Sequence, residues 1–404
     1  MIIHEPKIEK KGNKVKVSSY IEVEKRKDLS NYLWYEFDKE YEQYLSESLN
    51  GFVSSMVLFA MYLNEDIKLK GKISPKLDYG LKEVQNFFNF WNPEKFKKIR
   101  IISEGYDIQR TEPKGVMSTF SGGIDSFYTL WKHLPQNEKN PYSQITHCLL
   151  INGFADPIND EKNESFKILE KEYENLMKKL NIKLVSVKTN YADFYYEKIP
   201  HYFLDGVVLS SIPLLLGKLV SRHYISSTLD YLSNAIWGSN PIVDPMLSTE
   251  KTTIIHDGGD IRRLDKTFIV SKWPETYNLL KVCTKGFGIN NCCKCEKCFR
   301  TMITLYLGGK LSKYKTFPKK LTRKKLKHWI LFADYQINFA NEIKNYAKKT
   351  NREDIVKMID RVILRRKILT KPLEFLYEIS AKLKKKSKTY TKLIKLIKGK
   401  KYET

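Results

Sequence analysis

Residues 118 to 130 read STFSGGIDSFYTL, an apolar run interrupted by Gly122-Gly123 and resumed as an amphipathic one. The residues before the glycines, Gly115 to Phe120, have the composition of a buried strand, and Asp125 to Leu134 have helical spacing. Two adjacent glycines at a strand-to-helix turn leave no side chain to hold an anion away from the backbone. Their N–H groups, with those of the first helical turn, can converge on phosphate oxygens. The hydroxyls of Ser121 and Ser126 add donors, and the helix dipole adds partial positive charge. Asp125 sharpens the reading, because a carboxylate beside a phosphate repels it unless a cation lies between them. The stretch therefore points to Mg²⁺ bridging Asp125 and a polyphosphate. No lysine stands where a Walker A loop requires one. The competing explanation is a tight turn in which Ser or Asp caps a helix.

Outward from this turn, strands and helices alternate. Thr146 to Asn152, Lys183 to Lys188 and His223 to Ser227 read as further strands, separated by helices at Asp160 to Leu180 and near Leu204 to Ser221. The rhythm predicts an α/β fold, a parallel sheet with helices on both faces. Residues 1–112 form a mixed α/β leading region, with a strand at Lys14 to Val23, helices at Leu49 to Leu63 and Leu81 to Trp91, and a short strand at Lys98 to Ser103. Residues 113–250 carry the alternating domain and 251–310 a substrate- and metal-binding segment. In the latter, Thr252 to His256 reads as a strand, and Lys272 to Leu280 and Phe299 to Leu307 as helices. Residues 311–404 form a basic helical end.

The chain has 404 residues and a net charge of +25, and its basic character concentrates at the end: 15 Lys/Arg against 3 Asp/Glu from Arg361 to Thr404. Such a tail is a candidate surface for nucleic acid, anionic lipid or a protein partner; a lysine-rich solvated helix explains it equally simply. The opening residues MIIHEPKIEK lack the apolar core of a signal peptide. The longest apolar run, Val207 to Leu219, is too short to span a bilayer and contains Pro213 and Lys218. A cytoplasmic protein, free to form oligomers, is expected.

Five of the six cysteines fall in VCTKGFGINNCCKCEKCFRTM, residues 282 to 302. Cys283, Cys292, Cys295 and Cys298 have the spacing C-x8-C-x2-C-x2-C, which suits a closed tetrahedral Zn²⁺ site of structural type. An iron–sulfur cluster would use the same four thiolates. Cys293 competes with Cys292, but a pair separated by one residue wraps a metal poorly, so Cys293 is expected outside the shell. Cys148 reads as a buried small hydrophobe.

Ser121-Gly122-Gly123-Ile124-Asp125-Ser126 resembles the SGGxDS motif of the N-type ATP pyrophosphatases, the PP-loop superfamily. With the cysteine spacing downstream, the chain over residues 115 to 305 is similar to the 7-cyano-7-deazaguanine synthase family, extended at both ends. The resemblance implies the adenine nucleotide alpha hydrolase fold, with ATP, Mg²⁺ and Zn²⁺ as cofactors. It implies adenylation of a carboxylate with release of pyrophosphate, then attack by an amine or ammonia to give an amide or nitrile. Ser121, Gly122, Gly123, Asp125 and Ser126 would hold ATP. Lys266 falls where those enzymes carry a lysine before a helix and would stabilise charge at the α-phosphorus; a surface lysine is the alternative. The extensions leave open a macromolecular carboxylate on a protein or glycan, or action on a tRNA base as in other PP-loop enzymes.

Three further stretches are candidates. Ser226-Ser227-Thr228 closes the fourth strand, where hydroxyls face the ligand crevice or serve turn chemistry. Trp237 to Thr249 is a turn-rich loop in which Asp244 could meet an amine or ring nitrogen, or be a solvated turn residue. HDGGDIRRLDK, residues 256 to 266, holds Asp257, Arg262 and Lys266, with Gly258-Gly259 as a turn. His201 and His223 are assigned no chemistry.

Overall fold

The structure is a computed structural model that describes residues 1–108, 110–195, 198–233, 237–322 and 329–370. Most of the basic end noted above, residues 371–404, lies outside the described residues. The chain forms two compact units, Met1–Arg262 and Arg263–Thr404.

The first unit is built on one eleven-stranded sheet. Its strands are β1 (Ile2–Ile3), β2 (Lys7–Lys11), β3 (Lys14–Glu22), β4 (Asn31–Asp38), β5 (Ile67–Leu69), β6 (Ile101–Ile102), β7 (Gly115–Thr119), β8 (His147–Asn152), β9 (Lys183–Thr189), β10 (Val220–Ser226) and β11 (Thr253–Asp257). Its helices are α1 (Asn50–Leu63), α2 (Pro75–Trp91), α3 (Ile124–Lys132), α4 (Asp160–Lys179), α5 (Tyr191–Tyr195), α6 (Asp205–Leu215) and α7 (Val243–Met246). Strands β11, β10, β7, β8 and β9 lie side by side in that order, all parallel. Numbered by their order in the chain, these five run 5-4-1-2-3, the doubly wound arrangement that reverses direction beside its first strand. The sheet is thus α/β, mostly parallel and flanked by helices, and its switch point lies between the carboxyl ends of β7 and β10.

The leading residues extend this sheet. Strand β4 pairs antiparallel with β9, setting Tyr35 opposite Thr189, and β3, β1, β5 and β6 follow. Helix α1 is apolar nearly all round, which requires burial on every side. It packs on α6 so closely that a Cβ on Gly51 would stand 2.6 Å from Leu215 Cγ. Ser54 Oγ donates to Val207 O (3.1 Å), Tyr191 Oη to Ser55 O (3.1 Å), and Tyr35 Oη lies 3.2 Å from Ser211 Oγ. Leading and parallel parts therefore share one apolar core.

Helix α6 ends at Leu215, earlier than the apolar run predicts, and β10 begins at Val220, because the turn through Gly217 lets Leu219 O accept from Gly115 N at 2.8 Å.

The second unit holds α8 (Arg263–Val270), α9 (Glu296–Leu307), α10 (Asp334–Lys349) and α11 (Glu353–Arg365). The helix predicted over 272–280 is a single 3-10 turn, Pro274–Asn278. Pro274 pushes Trp273 into extended backbone and prevents a longer helix from passing through it. Helix α10 packs on α9 and α11, and the buried Arg300 guanidinium lies 4.2 Å above the Phe339 ring.

Candidate functional site

The turn between β7 and α3 sits at the switch point. Gly122 has φ +73°, and a Cβ there would stand 1.7 Å from the hydroxyl of buried Tyr173 on α4. Both the left-handed backbone and the close approach require glycine. Gly123 is the N-cap of α3 and gives it no side-chain cap. The first intrahelical amide to find a carbonyl is that of Phe127, which donates to Gly123 O at 3.0 Å. The amides of residues 124 to 126 thus precede the first intrahelical hydrogen bond. Ser126 Oγ is buried within the loop, accepting from Ser121 N (3.3 Å) and donating to Gly123 O (3.1 Å). Ser121 is exposed, and Gly123 and Asp125 are half-buried at the surface of the turn. The serine pair shapes the loop, and Ser121 Oγ also accepts from Gly123 N at 3.4 Å.

The far end of α3 is clamped. Asp257, the last residue of β11, accepts from Thr129 Oγ1 (2.9 Å), Lys132 Nζ (2.7 Å) and His133 Nε2 (3.1 Å). Burial alone would raise its pKa. The His133 hydrogen bond and the Lys132 charge outweigh that and hold it down at about 2. His133 also stacks on Tyr224 of β10, with centroids 4.0 Å apart.

Beside the turn, the ends of β10 and β11 line a cavity of about 150 Å³. Ser227 is fully buried and donates its N–H to Asp257 O (2.7 Å). Ser226 Oγ is buried with no hydrogen-bond partner among the described residues. Asn240 serves its turn, accepting from the amides of Ile242 and Val243 at 3.0 Å each. Asp244, by contrast, is wholly buried and lies 2.7 Å from His256 Nδ1. Ser239 Oγ donates to the same carboxylate oxygen at 2.7 Å. Burial raises the Asp244 pKa, opposed by its bonds to His256 and Ser239. The His223 ring, also buried, lies 3.0 Å from Thr119 Oγ1 through Nε2; burial pushes its pKa down to about 3 and keeps it neutral.

The second unit contains Lys266 and the cysteines. Lys266 lies within α8 and is buried, at 1 % exposure. The sulfurs of Cys283, Cys292, Cys295 and Cys298 all lie within 4.8 Å of one another, with Cys292–Cys298 at 3.7 Å and Cys295–Cys298 at 3.5 Å. Four sulfurs about 2.3 Å from a tetrahedral zinc stand about 3.8 Å apart, so the quartet has the dimensions of a metal-binding set. Cys293 has φ +56°, which turns it out of the quartet, and its Sγ donates to Asn291 O at 3.3 Å. Hydrogen bonds from Cys295 and Cys298 hold the Cys283 pKa far down. The same contacts push that of Cys298 up and that of Cys295 up to about 12. Lys281 Nζ donates to Gly286 O (2.7 Å) and Asn290 O, closing the long loop between the first two cysteines.

Two groupings escaped the sequence. The Asp257 clamp joins residues 124 to 128 positions apart, and no local spacing announces it. The Asp244–His256 pair was half visible, through Asp244 alone.

Compared with models of known protein families, with curated proteins and with solved structures, the chain has no match.

Proposed function

We propose that this chain uses ATP to adenylate a carboxylate, releasing pyrophosphate, and that an amine or ammonia then displaces AMP to give an amide or, after a second activation, a nitrile. The observation that carries the reading is the β7–α3 turn: a glycine-required, uncapped helix start at the switch point of a 5-4-1-2-3 parallel sheet. On this reading, the amides from Gly122 to Ser126 bind the β and γ phosphates and leave the α-phosphorus open to a carboxylate oxygen. Asp125, half-buried at the mouth of the turn, would hold Mg²⁺, which supplies neutralising charge to the polyphosphate. Positioning and charge stabilisation supply most of the rate enhancement, because pyrophosphate is already a stable leaving group. The four cysteines would hold a structural Zn²⁺ in the second unit, their separations matching a tetrahedral thiolate shell. The resemblance of SGGIDS and the cysteine spacing to the 7-cyano-7-deazaguanine synthase family supports the same class of reaction.

The test is product identity. The protein is incubated with ATP, Mg²⁺ and a panel of carboxylates, with and without ammonium. AMP and pyrophosphate are expected, and Asp125→Asn should abolish them while leaving urea unfolding unchanged. ADP and phosphate as products would overturn adenylation. Stimulation by tRNA, suppressed by salt, would move the substrate to RNA.

A further inference from the structure

The cavity at the ends of β10 and β11 has a chemistry of its own. Its walls include Asp205, Asp230, Tyr231, Trp237, Ser226 and His256, and among the described residues no lysine or arginine lines it. Two carboxylates and two aromatic rings attract a cation or an N–H-rich group and repel a carboxylate. The volume admits one small group or a single ring.

His256 is the reactive element. Its side chain is 6 % exposed and lines the cavity. Its only hydrogen bonds among the described residues run through Nδ1, to Asp244 Oδ2 at 2.7 Å and Ser239 Oγ at 3.4 Å. Ser239 already gives its proton to Asp244, so neither neighbour of Nδ1 has a proton to offer, and Nδ1 must donate. The neutral ring then carries its lone pair on Nε2. A buried carboxylate that fixes the tautomer of a histidine is the arrangement of a general base. The buried Ser226 Oγ, without a hydrogen-bond partner among the described residues, adds a hydrogen-bonding group on the same wall. The charged groups around His256 are Asp244 from α7, Asp205 from α6, and Asp230 after β10, whose Oδ2 lies 3.7 Å from exposed Arg262 Nε.

We propose that this cavity is the site of the nitrogen nucleophile, taken as ammonium or a protonated primary amine, and that His256 Nε2 is the base that deprotonates it. The proposal rests on the adenylation reading, since the acyl adenylate is what the freed amine attacks. One N–H proton passes to Nε2, and the nitrogen lone pair attacks the acyl carbon. The C–N bond forms, the C–O bond to AMP breaks, and the second N–H proton leaves the product nitrogen for solvent. The phosphate turn after β7 is one strand from β10 and two from β11, at about 4.8 Å per strand, so electrophile and nucleophile would approach from adjacent strand ends.

The full chain, labelled with ¹⁵N-histidine, gives ring resonances that report tautomer and ligand contact, with His256→Gln identifying the His256 signals. Free protein should show His256 as the Nδ1–H tautomer. Methylammonium chloride should shift its Nε2 resonance saturably, and tetramethylammonium chloride at equal concentration should not. Asp230→Asn should weaken that response several-fold. Asp244→Asn should invert the tautomer and abolish the response; if that buried variant does not fold, the Asp230→Asn and tetramethylammonium comparisons still decide. An Nε2–H tautomer in the wild type, or equal shifts with both salts, overturns the proposal. The outcomes separate cleanly: ADP from ATP would remove adenylation while leaving the ammonium response intact, whereas AMP formation with no ammonium response would remove the cavity and its base alone.

Discussion

Replacing Asp257 by Asn tests whether the turn proposed to face a nucleotide is held from behind. Asp257 is 5 % exposed and binds Thr129 and Lys132 of α3 and its C-cap His133, holding the helix whose first turn is the candidate phosphate site. Its pKa is 3.8 in the absence of neighbours and about 2 in the fold. At about 1.4 kcal/mol per pKa unit, the difference amounts to about 2 kcal/mol of stability at neutral pH. The sign follows from the depressed value: the contribution is complete above the unfolded pKa and is lost as pH falls through about 4 to 2. Asp257→Asn also leaves buried His133 facing a neutral amide, whereas Lys132, one-third exposed, can turn to water. The variant should therefore lose about 2 to 3 kcal/mol in urea unfolding at pH 7. The gap between wild type and variant should close as pH is lowered from 5 towards 2. A loss below about 0.5 kcal/mol at pH 7, or a gap of equal size at pH 3, would refute the account of Asp257 as an ionised clamp.

Gly122→Ala should cost about 1–2 kcal/mol from the left-handed backbone alone and more from displacing Tyr173, and ATP-dependent AMP formation should vanish with it; unfolding at the wild-type urea concentration would show that the turn does not need glycine. Cys295→Ser should lower bound zinc in metal analysis of the purified chain, and Cys293→Ser should leave it unchanged. Equal loss from both would return Cys293 to the shell.

The alternating half of the fold was legible because its strands are short, apolar and punctuated. Asp160 to Leu180 was read as a helix and is one over Asp160–Lys179, opened by the Asn159 side chain on Lys162 N. Lys183 to Lys188 was read as a strand and differs by one residue. Strand β4 was missed. Its inward residues Leu33, Tyr35 and Phe37 alternate with Tyr32, Trp34 and Glu36, and aromatic rings on the outward face blur the two-residue period. Its pairing with β9 spans over 150 positions and leaves no local trace. The glycine turn between β7 and α3 could be read because its requirements are local: two glycines, a strand before and a helix after. The cysteine quartet was legible for the same reason, and the left-handed φ at Cys293 is what an adjacent pair needs when one thiol must leave the shell. The histidine pair and the aspartate clamp are tertiary: Asp244 and Asp257 each lay in a candidate stretch, but nothing local to either names the groups they meet.

Those two features meet in one strand. His256 and Asp257 are consecutive in β11, so the pleat sends their side chains to opposite faces of the sheet. One goes to the cavity with Asp244 and the other to α3. A one-residue slip of β11 against β10 would bring either Asp257 to the cavity with Gly258 against α3, or His256 against α3 with Ile255 at the cavity, so the imidazole and the carboxylate cannot both keep their partners. The register Ile225 opposite His256 and Ser226 opposite Asp257 is therefore a chemical constraint as well as a packing one. It is reinforced at both ends of the strand: Thr252 Oγ1 donates to Val220 O at 2.7 Å, and Ser227 N to Asp257 O at 2.7 Å. The same strand fixes the direction of α3 and orients the base, so a perturbation of β11 should damage both halves of the proposed reaction together. Changes confined to Asp244 should damage only the second.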